Sequence, residues 1–297
     1  MAKYVPDSSS RRWVIVSQGR VARPSGEVAH AEKSPVDPFA KGHESTTPEE
    51  VFRVGKGMAN EPGWQTRVVT NKYPITDFHE VVVHSPDPKR DISQMSDDEV
   101  VPIFQAYRAR FNAYRERGSV MIFCNFGQTA GASLEHPHSQ IVLLPPQINM
   151  DSLAREPVSN IVHENDMFQA YCPDFSQWPY ELWIAPQREG VQFGDTTDEE
   201  IENLAHIMRV MLSRLRMIHE RENIVMPFAY NYYISPQKNW YLRIIPRFVT
   251  RAGFELGTGL SVNIVDPFDA ACAYQQIDPH TDELVVELQN HARDPLK

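Results

Sequence analysis

The segment His136-Pro137-His138-Ser139-Gln140 places two imidazoles and one amide at alternate positions. On an extended chain side chains repeat every two residues, so His136, His138 and Gln140 would share one face and line one wall of a pocket. Pro137 has no backbone N–H to give to a ladder and suits a strand edge or entry better than a strand middle. Such a row offers a nitrogen nucleophile, a neighbour that can fix its tautomer, and an amide that can donate to an anionic oxygen. That equipment suits attack on a phosphate. The same spacing also binds metals, and two histidines on a loop are often only a surface pair.

The chain that must position this row has 297 residues, 41% of them hydrophobic and 23% charged, which is the balance of a soluble globular protein. That length makes one large domain or two of ordinary size. Its apolar runs are too short to span a bilayer, and the first residues lack the apolar core of a signal peptide. Cys124, Cys172 and Cys272 are few, odd in number and far apart. They form neither a disulfide framework nor a cysteine-rich zinc site, and they suit a reducing cytoplasm. A formal charge of −10 disfavours a nucleic-acid binder and leaves room for a local basic pocket for a phosphorylated small molecule.

The pattern is written twice. Glu80 stands in an apolar strand, His79–Pro86, and Glu181 in a similar one, Tyr180–Pro186. Each is followed by a capping box, Ser96 to Glu99 and Thr197 to Glu200, and then by a helix with apolar residues at three- and four-residue spacing. Each copy closes with two strands: 120–124 and 140–144 in the first, 228–232 and 240–245 in the second. A spacing of 101 residues separates Glu80 from Glu181, Ser96 from Thr197 and Pro145 from Pro246. On this alignment Gln237 and Asn239 fall opposite His136 and His138, so one copy alone keeps the histidines. The proline-rich stretches 23–63 and 145–160 read as long loops or linkers, and the acidic tail carries a further expected helix at 281–291.

With these residues in view, the chain resembles the galactose-1-phosphate uridylyltransferase branch of the histidine-triad superfamily, which includes ADP-glucose phosphorylase and diadenosine tetraphosphate phosphorylase. The resemblance runs through Arg12–Ser17, the paired arginines Arg20 and Arg23, Val69–Pro74, Asn125–Ser133, the His-Pro-His-x-Gln motif, Trp178–Glu181 and Ala252–Gly259. It implies an α+β fold of two histidine-triad-like halves, 1–150 and 151–297, with a mostly antiparallel sheet, packed helices and a degenerate motif in the second half. It also implies double displacement. His138, as second histidine of the motif, attacks the α-phosphorus of a nucleoside diphosphate sugar, a sugar phosphate leaves, and an acceptor takes the nucleotide from the histidine. His136 and Gln140 complete the implied catalytic set, with a backbone carbonyl holding the other nitrogen of His138. Arg20, Arg23, Asn71, Asn125, Gly131, Ser133, Phe254 and Glu255 are the implied substrate contacts.

The departures from the family pattern shape the remaining expectations. Where many members carry a zinc-binding Cys-Pro-x-Cys, this chain has Asp37-Pro38-Phe39-Ala40. Pro88 replaces a further zinc histidine, and the second-half metal histidines are missing from Trp240–Ile245. No metal and no cofactor is expected; Asp37, Lys41 or local packing must replace the clip. Phe254 stands for a tyrosine and Ser261 for a glutamine of the sugar end, which weakens the case for galactose. The expected activity is nucleotidyl transfer from an NDP-sugar to a sugar phosphate in a cytoplasmic homodimer, with no nucleic acid and no membrane as partner. A phosphorylase or hydrolase using phosphate or water is the alternative within enzymes, and a nucleotide-binding protein without turnover the alternative outside them.

Overall fold

The computed structural model describes residues 2–6, 13–18, 20, 37–148, 150, 153 and 155–276. Arg12, Arg23 and the expected tail helix lie outside the described residues. A small hairpin, β1 (Lys3–Pro6) and β2 (Trp13–Val16), stands apart from one large antiparallel sheet. That sheet holds β3 (Glu50–Gly55), β4 (Trp64–Thr70), β5 (His79–Val83), β6 (Ser119–Phe126), β7 (His138–Leu144), β8 (Ile161–Glu164), β9 (Phe168–Tyr171), β10 (Leu182–Pro186), β11 (Tyr230–Ile234) and β12 (Leu242–Pro246). Their order is β3-β4-β5-β7-β6-β11-β12-β10-β9-β8. Read inward from either edge, it gives three consecutive strands, then the fifth of the set, then the fourth. The two sets meet where β6 pairs with β11, from Tyr230 opposite Phe126 to Ile234 opposite Ile122.

The long helices α1 (Asp97–Tyr114) and α2 (Asp198–Arg221) start where their capping boxes require. Glu99 accepts the Ser96 N–H at 2.8 Å, and Glu200 accepts the Thr197 N–H at 2.7 Å. Three acidic residues in each first turn also face the positive end of the helix dipole. Both helices bury their apolar stripe on one face of the sheet, where Phe104, Phe111, Leu204 and Leu212 meet Val82, Ile141, Leu182 and Ile244. Each such fully buried side chain contributes roughly 1.5–3 kcal/mol by removal from water. The opposite face carries two smaller clusters: Phe39, Trp64, Val69, Val81 and Val83 in the first half, and Tyr171, Trp183, Ala185 and Tyr241 in the second. Two short helices follow, α3 (Gly253–Thr258) and α4 (Pro267–Gln275). Among the described residues no helix is long and apolar enough to cross a membrane.

Two expectations need correction. The stretch 23–63 is not all linker, since Glu50–Gly55 forms the edge strand β3. Buried carboxylates fold this polar run onto the sheet. Glu44 accepts Trp64 Nε1–H at 2.9 Å, and Glu50 accepts Arg67 Nε–H at 2.7 Å. Burial pushes the Glu50 carboxyl up, but hydrogen bonds from Arg53 and Arg67 outweigh it and hold the group below the usual range. The pairing of Glu80 with Glu181 is also out of step. Glu80 faces the helices, taking Arg110 of α1 in a fork at 2.9 and 2.6 Å. Glu181 faces the other side, gripping Arg243 at 2.7 and 2.9 Å beside Trp183 Nε1 at 2.7 Å. Because the two carboxylates stand on opposite faces of the sheet, a 101-residue offset does not superpose equivalent positions of β5 and β10.

Under β7, on the helix face, four polar groups meet in the core. Tyr107 donates to Ser139 Oγ at 2.6 Å, so its oxygen accepts from Tyr232 at 2.7 Å and from His84 Nε2 at 3.2 Å. His84 is therefore neutral with its proton on Nε2, and among the described residues Nδ1 has no hydrogen-bond partner. Burial, with His138 and His136 nearby, lowers its pKa from 6.5 to about 3. The unfolded chain takes up a proton at His84 below pH 6.5 and the folded chain does not. Its contribution is complete above that pH and is lost as pH falls toward 3. Thermal melts of wild type should lose roughly 2 kcal/mol from this residue between about pH 8 and pH 5. His84→Gln should be less stable at pH 8 yet fall less steeply; an unchanged pH dependence would refute the assignment.

Candidate active site

The strand β7 opens at His138, and its pairing builds the site. Val83 of β5 lies opposite His138, and Val81 opposite Gln140. On the other side Cys124 of β6 lies opposite Ser139, which sets Asn125 beside His138 in the same register. Asn125 in turn lies opposite Asn231 of β11. Ser139 turns to the helix face to meet Tyr107, so by alternation His138, Gln140, Asn125 and Asn231 share the helix-free face. His138 and Gln140 are buried there at 7% and 4% exposure, a setting in which hydrogen bonds to a developing charge count for more than in water.

The tautomer of His138 is fixed by the backbone. Its Nδ1 lies 2.8 Å from the carbonyl oxygen of His136. A carbonyl only accepts, so the proton sits on Nδ1 and the lone pair on Nε2. Cys124 Sγ donates to the carbonyl of His138 itself at 3.3 Å, and Phe39 packs its ring 5.6 Å from the imidazole.

His136 stands just before β7 rather than within it, so the expected row of three is a row of two with His136 at its entry. Its ring is enclosed: Nδ1 lies 2.7 Å from Asp37 Oδ2, Nε2 lies 2.8 Å from the Ser85 carbonyl, and Phe39 meets it edge-on at 5.9 Å. Asp37 also accepts the Phe39 N–H at 2.9 Å, and its carbonyl meets His43 Nδ1 at 2.8 Å. This clip occupies the place where the resemblance sets zinc, and it does not fit that ion. Both nitrogens of His136 are spent on oxygens, position 40 is alanine, and position 88 is proline. Among the described residues no group of three or more His, Cys, Asp or Glu side chains is placed to hold a metal.

Three of the expected contact residues are amides whose oxygens are already engaged. Gln140 Oε1 lies 3.0 Å from His79 Nε2, Asn125 Oδ1 accepts from Asn231 Nδ2 at 2.9 Å, and Asn71 Oδ1 accepts the Tyr73 N–H at 2.7 Å. Neither His79 nor Asn231 was marked by the sequence pattern as a partner of these amides. His79 starts β5 and shares the face of Val81 and Val83 by alternation, a signal that only the sheet order gives meaning. Asn231 is brought in from 106 residues beyond Asn125.

The glycine loop leads into β7. Gly131 takes a left-handed conformation at φ 84 and ends the short turn 128–130, and Ser133 is half-buried just after it. Gly127, also at φ 84, runs so close to β11 that an added Cβ would lie 2.7 Å from Ala229 Cβ. Arg20 donates to the Tyr73 carbonyl at 2.9 Å, tying the first turn to the segment of Asn71; Arg23 lies outside the described residues. Phe254 and Glu255 are not brought to His138 within the chain. They lie on α3, where Phe254 is 56% exposed and Glu255 accepts the Ala252 N–H at 3.1 Å. No hydrogen bond among the described residues links α3 to the His138 group.

A family model described as galactose-1-phosphate uridyl transferase, N-terminal domain, matches residues 76–144, the stretch from β5 to the end of β7. An ADP-glucose phosphorylase of Arabidopsis thaliana is 27% identical over 91% of this chain and 92% of its own length. A galactose-1-phosphate uridylyltransferase of Thermotoga maritima is 25% identical over 70% of this chain and 76% of its own. The crystal structure of the Arabidopsis thaliana ADP-glucose phosphorylase with bound ADP-glucose superposes with a TM-score of 0.69 at 25% identity, covering 94% of this chain and 100% of that one. With the shared antiparallel fold and the His-Pro-His-x-Gln motif inside the matched segment, the chain is similar in sequence and fold to the galactose-1-phosphate uridylyltransferase-like branch of the histidine-triad superfamily.

Proposed function

We propose that this chain is a metal-independent nucleotidyltransferase that takes a nucleoside monophosphate from a nucleoside diphosphate sugar onto His138 and passes it to phosphate. The supporting observation is the hydrogen bond between His138 Nδ1 and the His136 carbonyl, which leaves the Nε2 lone pair for attack in a wall of amide donors. In the first step Nε2 bonds to the α-phosphorus and the bond to the bridging oxygen breaks. The sugar leaves as its 1-phosphate with that electron pair. The imidazolium formed keeps its Nδ1 proton against the His136 carbonyl, while N–H groups of Gln140, Asn125 and Asn71 meet the non-bridging oxygens. In the second step a phosphate oxygen displaces Nε2, the lone pair returns to the histidine, and a nucleoside diphosphate departs.

Phosphate is favoured as acceptor by the likeness to an ADP-glucose phosphorylase over nine-tenths of both chains. The likeness to a galactose-1-phosphate uridylyltransferase supports the second reading, in which a sugar phosphate takes the nucleotide. Recognition of a hexose depends on hydrogen bonds that punish a mismatched hydroxyl. At the sugar end Phe254 and Ser261 stand where the galactose pattern has polar partners. The proposal includes a homodimer: Phe254, Leu256, Leu260, Val262 and Ile264 form an exposed apolar run, and a second copy is its assigned cover. It also includes a cytoplasmic setting, with Cys124, Cys172 and Cys272 buried as free thiols.

Three outcomes test this. With ADP-glucose or UDP-glucose, wild type should gain the mass of one nucleotide. His138→Ala should gain none and lose turnover by at least about 10³-fold while keeping its fold, and His138→Gly should recover activity with added imidazole. Near-normal turnover by His138→Ala would exclude the mechanism. Once the adduct is formed, phosphate should discharge it at least as fast as galactose 1-phosphate. Discharge by galactose 1-phosphate about 100-fold faster than by phosphate or glucose 1-phosphate would return the chain to the ordinary transferase reaction. Protein purified without added metal should carry well under one zinc or iron per chain by elemental analysis, and one firmly held ion would show that His136 has a ligand set other than the Asp37 clip.

A further inference from the structure

We infer that Asn231 and His79 are positioning residues which lock Asn125 and Gln140 with their amide N–H groups toward the phosphate attacked by His138. The inference rests on the nucleotidyl-transfer reading above. A primary amide has nearly the same shape either way round, and only its hydrogen bonds decide which end it presents. An amide presenting oxygen to a phosphate repels it; the same amide turned over stabilises it.

Each orientation here traces back to a backbone group with a single role. The Ala130 carbonyl can only accept. It lies 2.9 Å from Asn231 Nδ2, which fixes the nitrogen end of Asn231 on that side. The same Nδ2 lies 2.9 Å from Asn125 Oδ1, so Asn125 must turn its oxygen toward Asn231 and keep its N–H groups for the site. On the other side the Ile75 N–H can only donate. It meets His79 Nδ1 at 2.9 Å, which places the proton of neutral His79 on Nε2. That N–H reaches Gln140 Oε1 at 3.0 Å and again leaves the amide nitrogen over. Asn71 follows the same rule in one step, its oxygen held by the Tyr73 N–H. Asn71 Nδ2 lies 3.1 Å from His79 Nε2, the nitrogen whose proton Gln140 Oε1 takes. Gln140 and Asn125 share the face of His138, one on its strand and one on the neighbouring strand.

The result is a set of neutral donors aimed before substrate arrives, needing no reorganisation when charge builds on phosphorus. One anchor comes from the second half of the chain, since Asn231 belongs to β11 while Asn125 and Ala130 belong to the first half. The second half thus shapes the site without placing a group on the reacting atoms.

The test is a pair of double-mutant cycles read as the single-turnover rate of adduct formation with ADP-glucose and with UDP-glucose. Asn231→Leu and His79→Phe keep size and remove the hydrogen bond. Each should slow adduct formation by about tenfold, and Asn125→Ala and Gln140→Ala by about 100-fold. On the Asn125→Ala background Asn231→Leu should cost less than about twofold further, and so should His79→Phe on Gln140→Ala, because the amide being aimed is gone. A general loosening of the fold would make Asn231→Leu or His79→Phe cost as much on the variant background as on wild type, and that additivity would overturn the inference. Rates within twofold of wild type for both single variants would also overturn it. If Asn231→Leu fails to fold, Asn231→Ala and the His79 cycle decide by the same criteria. Wild type that forms no adduct with either sugar nucleotide would overturn the nucleotidyl-transfer reading and this inference with it, whereas a wild-type adduct with additive losses would overturn only the clamps.

Discussion

A histidine can attack an electrophile only through a nitrogen that has kept its lone pair, and in this chain one hydrogen bond decides which nitrogen of His138 keeps it. His138 gives its Nδ1 proton to the carbonyl of His136, two residues back along the same extended segment. That bond survives only if the segment entering β7 cannot shift. Pro137, whose carbonyl pairs with the His84 N–H at 3.1 Å, holds one side of it. The enclosed ring of His136, between Asp37, Ser85 and Phe39, holds the other. The Asp37 clip therefore matters less for the charge it brings than for the carbonyl it keeps still. A histidine free to exchange tautomers would spend part of its time with the attacking nitrogen protonated.

The sheet separates two kinds of chemistry by the alternation of its strands. On the helix face of β7, Ser139 joins Tyr107, Tyr232 and His84 in a polar knot sealed under α1. On the other face, one residue away in each direction, His138 and Gln140 meet amides and an aromatic lid. The buried knot gives β7 a register that cannot slip by one residue without driving Ser139 out of its hydrogen bond and His138 into the core. The same groups make the fold sensitive to acid, because burial holds His84 neutral down to a pKa of about 3. Stability of the core and geometry of His138 are in this sense one constraint.

Much of this was legible in the sequence because its signals are local. The capping boxes at Ser96 and Thr197, the helical stripes, and the strands around Glu80 and Gln140 depend on residues a few positions apart. So does the alternation that puts His138 and Gln140 on one face. What the sequence could not show depends on strands meeting across long separations. Asn231 reaches Asn125, and His79 reaches Gln140, through a sheet order that no short pattern encodes. Asp37 was marked beside Lys41 and local packing as a replacement for the cysteine clip, and its bond to His136 needed the fold. The stretch 23–63 misled by its prolines, yet Glu44 and Glu50 within it are buried hydrogen-bond acceptors. Glu80 and Glu181 misled by their shared type, since they stand on opposite faces and grip different arginines.

The central claim is that Nε2 of His138 becomes bonded to phosphorus because His136 holds Nδ1. The most direct measurement is nuclear magnetic resonance of the trapped nucleotidyl adduct on protein labelled with nitrogen-15 in histidine, read through the coupling between phosphorus and ring nitrogen. A single phosphorus-coupled nitrogen assigned to Nε2 of His138, with Nδ1 still protonated, is the expected result. Phosphorus coupled to Nδ1, or to another residue's nitrogen, would contradict the account.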